Sequence, residues 1–99
     1  MKKITLTKDL EATLQRAADE ARARRHEHVT LEHLLLALGD DPDAGRLFKA
    51  CRIDLPQLTA ALDGALAEQD VLAERKEPEH TRAFWRVVER AAMQAQSSG

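Results

Sequence analysis

"HEHVTLEHLLLALGDDP", residues 26–42, combines a helix start, an apolar helical stripe and a helix stop in one short segment. Thr30 is a suitable N-cap, and Glu32 follows it near the positive end of the helix dipole. The helical stripe consists of Leu31, Leu34, Leu35 and Leu38. Gly39 then predicts the helix end. The segment therefore predicts a short helix with one buried face, the second helix of the chain.

Apolar spacing predicts a helix on either side of this segment. After a short extended start at residues 2–6, residues 8–25 carry the series Leu10, Leu14, Ala17, Ala18 and Ala21, which forms one helical face. Asp41 before Pro42 is a second helix start, because an aspartate cap followed by proline leaves few orphaned donors. The inner face of this third helix is predicted to be Ala44, Leu47, Phe48 and Cys51.

Two more helices are predicted, and a polar connection separates them. Asp54 and Gln57 form a capping-box arrangement around Pro56, and a helical period continues to about Glu68. Residues 69–80 are dominated by charged side chains, which predicts a solvated connection. Thr81 starts the fifth helix, whose apolar residues are Phe84, Val87, Val88, Ala91, Ala92 and Ala95. Its spacing is similar to that of helix one and suggests a repeat of about 74 residues.

The composition favours one small all-α domain. The 99 residues are 43% hydrophobic but only 3% aromatic, and alanine and leucine, both good helix formers, dominate the apolar set. Fifteen basic and 17 acidic side chains are interspersed, which argues against nucleic-acid and anionic-membrane partners. There is one cysteine and no apolar run near the ~20 residues of a spanning helix. We therefore expect a cytoplasmic protein.

Several side chains are of the types that bind zinc, namely His26, His28, Glu32, His33 and Cys51. Their spacing fits neither H-E-x-x-H nor H-x-x-E-H, so we interpret the histidines as a solvated helix entrance with local hydrogen bonds. Cys51 is interpreted as a buried small hydrophobe. The scattered glycines form no phosphate-binding loop. We expect no metal, no cofactor and no catalysis, and keep a small metal-dependent enzyme as an alternative.

Residues 26–62, "HEHVTLEHLLLALGDDPDAGRLFKACRIDLPQLTAAL", resemble the N-terminal domain of Clp-type AAA+ unfoldases. Repeats of that domain carry a Thr-x-Glu-His-Leu-Leu-x-Ala-Leu helix, a short helix ending near Cys or Gly, and an Asp-Leu helix start. Residues 84–99, "FWRVVERAAMQAQSSG", are similar to the first helix of the second repeat in the ClpA branch. The resemblance implies an all-α Clp N-domain-like bundle of about five helices. The single module, 1–99, would contain a first repeat at 1–68, a connection at 69–80 and the first helix of an incomplete second repeat at 81–97.

The resemblance also implies a function without catalysis. Such modules sit flexibly on an ATPase ring and dock adaptors or substrates for unfolding and degradation, and in ClpA-like members the adaptor is ClpS. The family's contact residues match Glu27, Glu32 and Thr81 of this sequence. We therefore expect these three residues to line one patch on the surface.

A second hypothesis is a free-standing regulatory Clp-repeat protein that self-associates. Helix five carries Phe84, Trp85, Val87 and Val88 on more than one face, and leaving such side chains in water would forgo ~1.5–3 kcal/mol each. The helix can fold back on the first four helices or pair with the same helix of a second chain. We predict a homodimer held through Phe84, Val87 and Val88.

Overall fold

The computed structural model describes residues 8–74 and 76–98, and the side chains of these residues up to residue 93. The five helices are α1 (Lys8–Ala23), α2 (Leu31–Leu38), α3 (Pro42–Ala50), α4 (Leu55–Ala67) and α5 (Arg82–Ser98). Two very short strands, β1 (His28–Val29) and β2 (Glu79–His80), pair in parallel. The predicted all-α class is confirmed, and the expected extended start at 2–6 lies outside the described residues.

Three of the helix starts fall at the residues predicted to cap them. Asp41 accepts a hydrogen bond from the amide of Ala44 at 2.9 Å, and Asp54 accepts one from the amide of Gln57 at 3.1 Å. Thr30 is the N-cap of α2, and Gly39 directly follows its last residue. None of the helices in the described part of the chain is both long and apolar enough to span a membrane.

Helix α1 ends slightly earlier than predicted because Arg25 adopts the left-handed conformation, with φ of 57°. The amide of His26 donates to the carbonyl of Ala21 at 2.9 Å, and the amide of Arg25 donates to that of Arg22 at 3.1 Å. These two bonds form a Schellman ending. The turn reverses the chain after α1, and His26 is buried immediately after it.

The core lies where α1, α2 and α5 meet. Ala17 and Ala21 of α1 are fully buried, and small side chains there allow α2 to pack closely against α1. The other members of this cluster are Leu14, Ala18, Val29, Leu34, Ala37, Phe84 and Val88. Helix α4 packs on α2 and buries Leu62 and Leu66.

The predicted inner face of α3 is wrong for Leu47 and Cys51, whereas Ala44 and Phe48 are partly buried. No residue of α3 is buried; Leu47 is 62% exposed, and Cys51, the C-cap, is exposed as well. The helix packs mainly against α4, and this packing leaves Leu47 and Cys51 exposed. Cys51 is therefore a surface thiol rather than the buried small hydrophobe that its spacing predicted.

Most described residues of the predicted solvated connection, 69–80, are exposed, but the segment is attached to the rest of the chain at several points. The amide of Leu72 donates to the carbonyl of Arg25 at 2.8 Å, and Pro78 is buried. Strand β2 then pairs with β1, so that His28 lies opposite Glu79 and Val29 opposite His80. The parallel pairing fixes the start of α5 beside the start of α2.

Helix α5 folds back on the same chain, which was one of the two predicted outcomes. Phe84 is fully buried and Val88 is 5% exposed, both within the core. In this fold neither side chain is available to a dimer surface, and the homodimer stays a prediction. Val87 remains 47% exposed, so only one of the three residues predicted for the dimer lies at the surface.

Candidate functional site

The starts of α2 and α5 are joined by backbone hydrogen bonds around the two strands. The amide of Glu79 donates to the carbonyl of Glu27 at 3.0 Å, and the amide of Thr81 donates to that of Val29 at 3.1 Å. Thr81 also caps α5, because its hydroxyl oxygen accepts from the amide of Phe84 at 3.1 Å. Two threonine-capped helix starts are thus held side by side.

A cleft of about 350 Å³ opens at this junction. Its lining residues are Glu27, His28, Thr30, Glu68, Gln69, Asp70 and Thr81. The three carboxylates belong to exposed residues, and no lysine or arginine in the described part of the chain lines the cleft. Other clefts have similar volumes of about 310–320 Å³, so composition rather than size distinguishes this one. It is chemically suited to hydrogen-bond donors and cations.

The structure brings together two of the three residues predicted to bind a partner. Glu27 and Thr81 both line the cleft, and Glu27 is exposed. Glu32 is exposed in the first turn of α2, just after Thr30 of the cleft wall, but does not itself line the cleft. The common patch of all three residues stays a prediction.

Sequence reasoning missed the contribution of the end of α4. Glu68, Gln69 and Asp70 were assigned to the helix end and the polar connection, yet they form one wall of the cleft. The side-chain amide of Gln69 lies 3.5 Å from the hydroxyl of Thr30. No local signal marks these residues, because they reach the cleft only through the packing of α4 on α2.

The interpretation of the histidines as a solvated helix entrance is wrong for two of the three. His26 is 3% exposed and His33 is fully buried, whereas His28 is exposed. The amide of Thr30 donates to Nδ1 of His33 at 2.9 Å. This bond is half of a capping box with histidine in place of the usual glutamate or glutamine, and the Thr-x-x-His spacing could have indicated it. Within the described residues, no group of three or more potential ligands is arranged to hold a metal ion.

Arg24 connects the end of α1 to α4 beside the buried histidines. Its guanidinium lies 2.6 Å from Glu20 and 2.8 Å from Asp63. The hydrogen bonds that the guanidinium donates to these two carboxylates raise the pKa of Arg24, with the bond to Glu20 the larger cause. Arg24 thus joins the segment after α1 to α4.

Comparison with known proteins identifies close relatives by sequence. Residues 5–99 match the family model of the Clp repeat (R) N-terminal domain. A ClpA homolog protein of Fuscovulum blasticum is 49% identical over 94 residues, which cover 91% of this chain and 12% of that protein. The chloroplastic chaperone protein ClpB2 of Oryza sativa subsp. japonica is 37% identical over 68 residues, 68% of this chain and 7% of that protein. The chain therefore spans only a small part of the length of these relatives.

A solved structure has the same fold. The N-domain of ClpV from Vibrio cholerae matches with a TM-score of 0.78 and 25% sequence identity. The match covers 92% of this chain and 55% of the ClpV chain. The overall fold of the chain is thus also found in a solved protein.

Proposed function

The chain belongs to the Clp repeat (R) N-terminal domain family, and we propose that it is a non-catalytic module that docks proteins for a cytoplasmic Clp ATPase. The partner is an adaptor of the ClpS type or a substrate destined for unfolding and degradation. The observation that carries this proposal is the cleft between the starts of α2 and α5, where Glu27 and Thr81 lie together.

The chemistry of the cleft supports protein docking rather than catalysis. Its carboxylates are exposed and hydrated, so they can bond the ammonium, guanidinium or amide groups of a partner without a large desolvation penalty. The hydroxyls of Thr30 and Thr81 add short polar groups on a rigid helix start. Rim charges of this kind orient a partner and speed its association more than they add affinity.

Charge reversal tests the proposal at Glu27, which lines the cleft, and at Glu32, which lies in the first turn of α2 just after the cleft residue Thr30. We expect Glu27→Lys and Glu32→Lys each to weaken binding of a ClpS-like adaptor by about 1–3 kcal/mol, through a lost charged hydrogen bond and new repulsion. Isothermal titration calorimetry with the whole chain measures the affinity, and circular dichroism checks that each variant is folded.

The matched control is Glu89→Lys, since Glu89 is an exposed acid of α5 that does not line the cleft. Its affinity should equal that of the unmodified chain. Absence of binding at adaptor concentrations of tens of micromolar, with the chain folded, would refute the docking function. Equal losses in all three variants would mean that net charge, and not the cleft, governs binding.

Self-association is a second candidate function, and the exposed apolar side chains of α5 favour it. Trp85 is 43% exposed, Val87 47% and Met93 61%. If these side chains form a dimer surface, sedimentation equilibrium at micromolar concentrations will give twice the monomer mass, and Val87→Glu will restore the monomer. Val71→Glu, at an exposed apolar residue outside α5, is the control and should leave the mass unchanged. A strict monomer rules this function out.

A further inference from the structure

Two buried histidines behind the cleft are hydrogen-bonded to each other. His26 is 3% exposed and His33 is fully buried, and Nδ1 of His26 lies 2.9 Å from Nε2 of His33. The rings meet edge to face, with centroids 5.1 Å apart. Neither the fold class nor the docking proposal assigns a role to this pair.

The bond from Thr30 fixes the direction of the hydrogen bonds. A backbone amide can only donate, so Nδ1 of His33 is an acceptor and carries no proton. In a neutral ring the proton of His33 is then on Nε2, which donates to Nδ1 of His26. The donor–acceptor chain therefore runs from Thr30 through His33 to His26.

An added proton breaks one of the two hydrogen bonds of this chain. A proton on Nδ1 of His33 would face the amide hydrogen of Thr30 at 2.9 Å, although the hydroxyl oxygen of Thr30, also 2.9 Å from Nδ1, could accept it. A proton on Nδ1 of His26 would face the Nε2 hydrogen of His33, and moving that hydrogen to Nδ1 of His33 would again oppose the amide of Thr30. Proton uptake therefore removes either the bond from the Thr30 amide or the bond between the two rings.

The charged groups around the pair do not remove this conflict. Glu20 of α1, Arg24 just after α1 and Glu32 of α2 act on the rings, while Asp63 of α4 is bonded to Arg24. Burial, followed by the neighbouring His26 and Arg24 and opposed by the two glutamates, lowers the pKa of His33 to about 4. Burial, followed by Arg24, also lowers the pKa of His26. Both rings are neutral at pH 7 and become protonated more readily when exposed.

The pair also holds one wall of the cleft. Residues 26–30 run between the buried ring of His26 and the amide of Thr30, and they include the cleft residues Glu27 and His28. Beyond the pair, the carbonyls of Glu27 and Val29 accept the bonds that attach β2 and the start of α5. Release of His33 would remove the anchor at the α2 end of this segment.

We propose that the His26–His33 pair is a proton-sensitive latch: in its neutral form it holds residues 26–30 in place, and uptake of a proton releases them and weakens partner docking. The release of the segment follows from the hydrogen bonds that link Thr30, His33 and His26. The effect on docking rests also on the proposed function of the cleft.

Native-state hydrogen exchange of the whole chain tests the latch. The depressed histidine pKa means that the open form binds more protons than the closed form between pH 6.5 and about 4. The protection factor of the Thr30 amide should therefore fall by up to about tenfold per pH unit below pH 6.5. The amides of Leu62 and Leu66 in α4 should keep their protection. A parallel fall in α4 would mean global unfolding and would overturn the latch.

Two variants assign the proton. His33→Gln retains a side-chain acceptor for the amide of Thr30 but does not titrate, so the loss of protection at Thr30 with falling pH should become smaller, with His26 the remaining titrating ring of the pair. His28→Gln, in the same segment but exposed, should leave the pH dependence of exchange at Thr30 unchanged; because His28 lines the cleft, this control is measured by exchange and not by docking. An unchanged pH dependence in His33→Gln, or its loss in His28→Gln, would overturn the assignment. If His33→Gln fails to fold, the latch is tested by the pH dependence of protection at Thr30 relative to the amides of α4, with His28→Gln as the control.

Docking is measured separately with a ClpS-like adaptor at pH 7.5 and 5.5. The affinity at pH 7.5 divided by the affinity at pH 5.5 should be larger for the unmodified chain than for His33→Gln. Because both chains are measured with the same adaptor, titration of the adaptor itself cancels in this comparison. Equal ratios, with Thr30 released at low pH, would overturn the coupling between latch and cleft. No binding at either pH would instead refute the proposed function, and the latch would then be judged by the hydrogen-exchange experiment alone.

Discussion

Replacing Phe84 with alanine is expected to lower the free energy of unfolding by about 3–5 kcal/mol, the range found when a buried phenylalanine is truncated. The ring is fully buried in the core with Leu14 and Val88, and it meets the ring of His80 edge to face at 4.8 Å. The loss is a large share of the roughly 5–15 kcal/mol that stabilises a domain. Urea unfolding followed by circular dichroism measures it.

The adjacent aromatic residue is the matched control. Trp85 is 43% exposed, although its ring lies 5.0 Å from that of His80 and 5.6 Å from that of Phe84. Trp85→Ala should therefore lower stability by no more than about 1 kcal/mol. Similar losses for the two variants would contradict the packing of α5 described here, since they would mean that Phe84 is not the ring that joins α5 to the core.

Replacing His33 with alanine is expected to destabilise the chain by about 2–4 kcal/mol for two reasons. It removes a fully buried ring, and it leaves the amide of Thr30 and Nδ1 of His26 without their partner. A buried donor or acceptor that loses its partner is more costly than the net value of the bond suggests. The same unfolding measurement at pH 7.5, where the pair is neutral, gives the difference.

His28→Ala is the control for this variant, because His28 is an exposed histidine in the same short segment. Its stability should change by less than about 0.5 kcal/mol. His33→Gln should fall between the two, since glutamine retains the acceptor for Thr30 but does not refill the space of the ring. If His33→Ala proves no more harmful than His28→Ala, the buried hydrogen-bond chain does not contribute to stability.

The candidate site was only partly predictable. Glu27 and Thr81 were identified through the resemblance to Clp repeats, and the structure places them in one cleft. Glu68 and Asp70 were missed, because nothing near them in sequence distinguishes acids that line a cleft from acids in a solvated connection. Glu32 illustrates the converse: its place at a helix start was predictable, but the direction in which it faces depends on how α2 packs.

Local chemistry determined the helices. Caps at Thr30, Asp41 and Asp54 and periodic apolar residues act within a few residues of each other, so the sequence alone was enough to predict five helices and their approximate bounds. The family membership followed from the same local motifs, since the Thr-x-Glu-His helix and its neighbours are contiguous in the chain.

Tertiary structure decided everything that depends on contacts between distant segments. Periodicity marks an apolar face but does not reveal whether a neighbour covers it, and so Leu47 is exposed while Phe84 is buried. A strand pair of two residues on each side has no pattern of its own, and it forms because α5 packs beside α2. Burial likewise separates His33 from the exposed His28, because solvent access depends on the whole fold and not on the residues alongside.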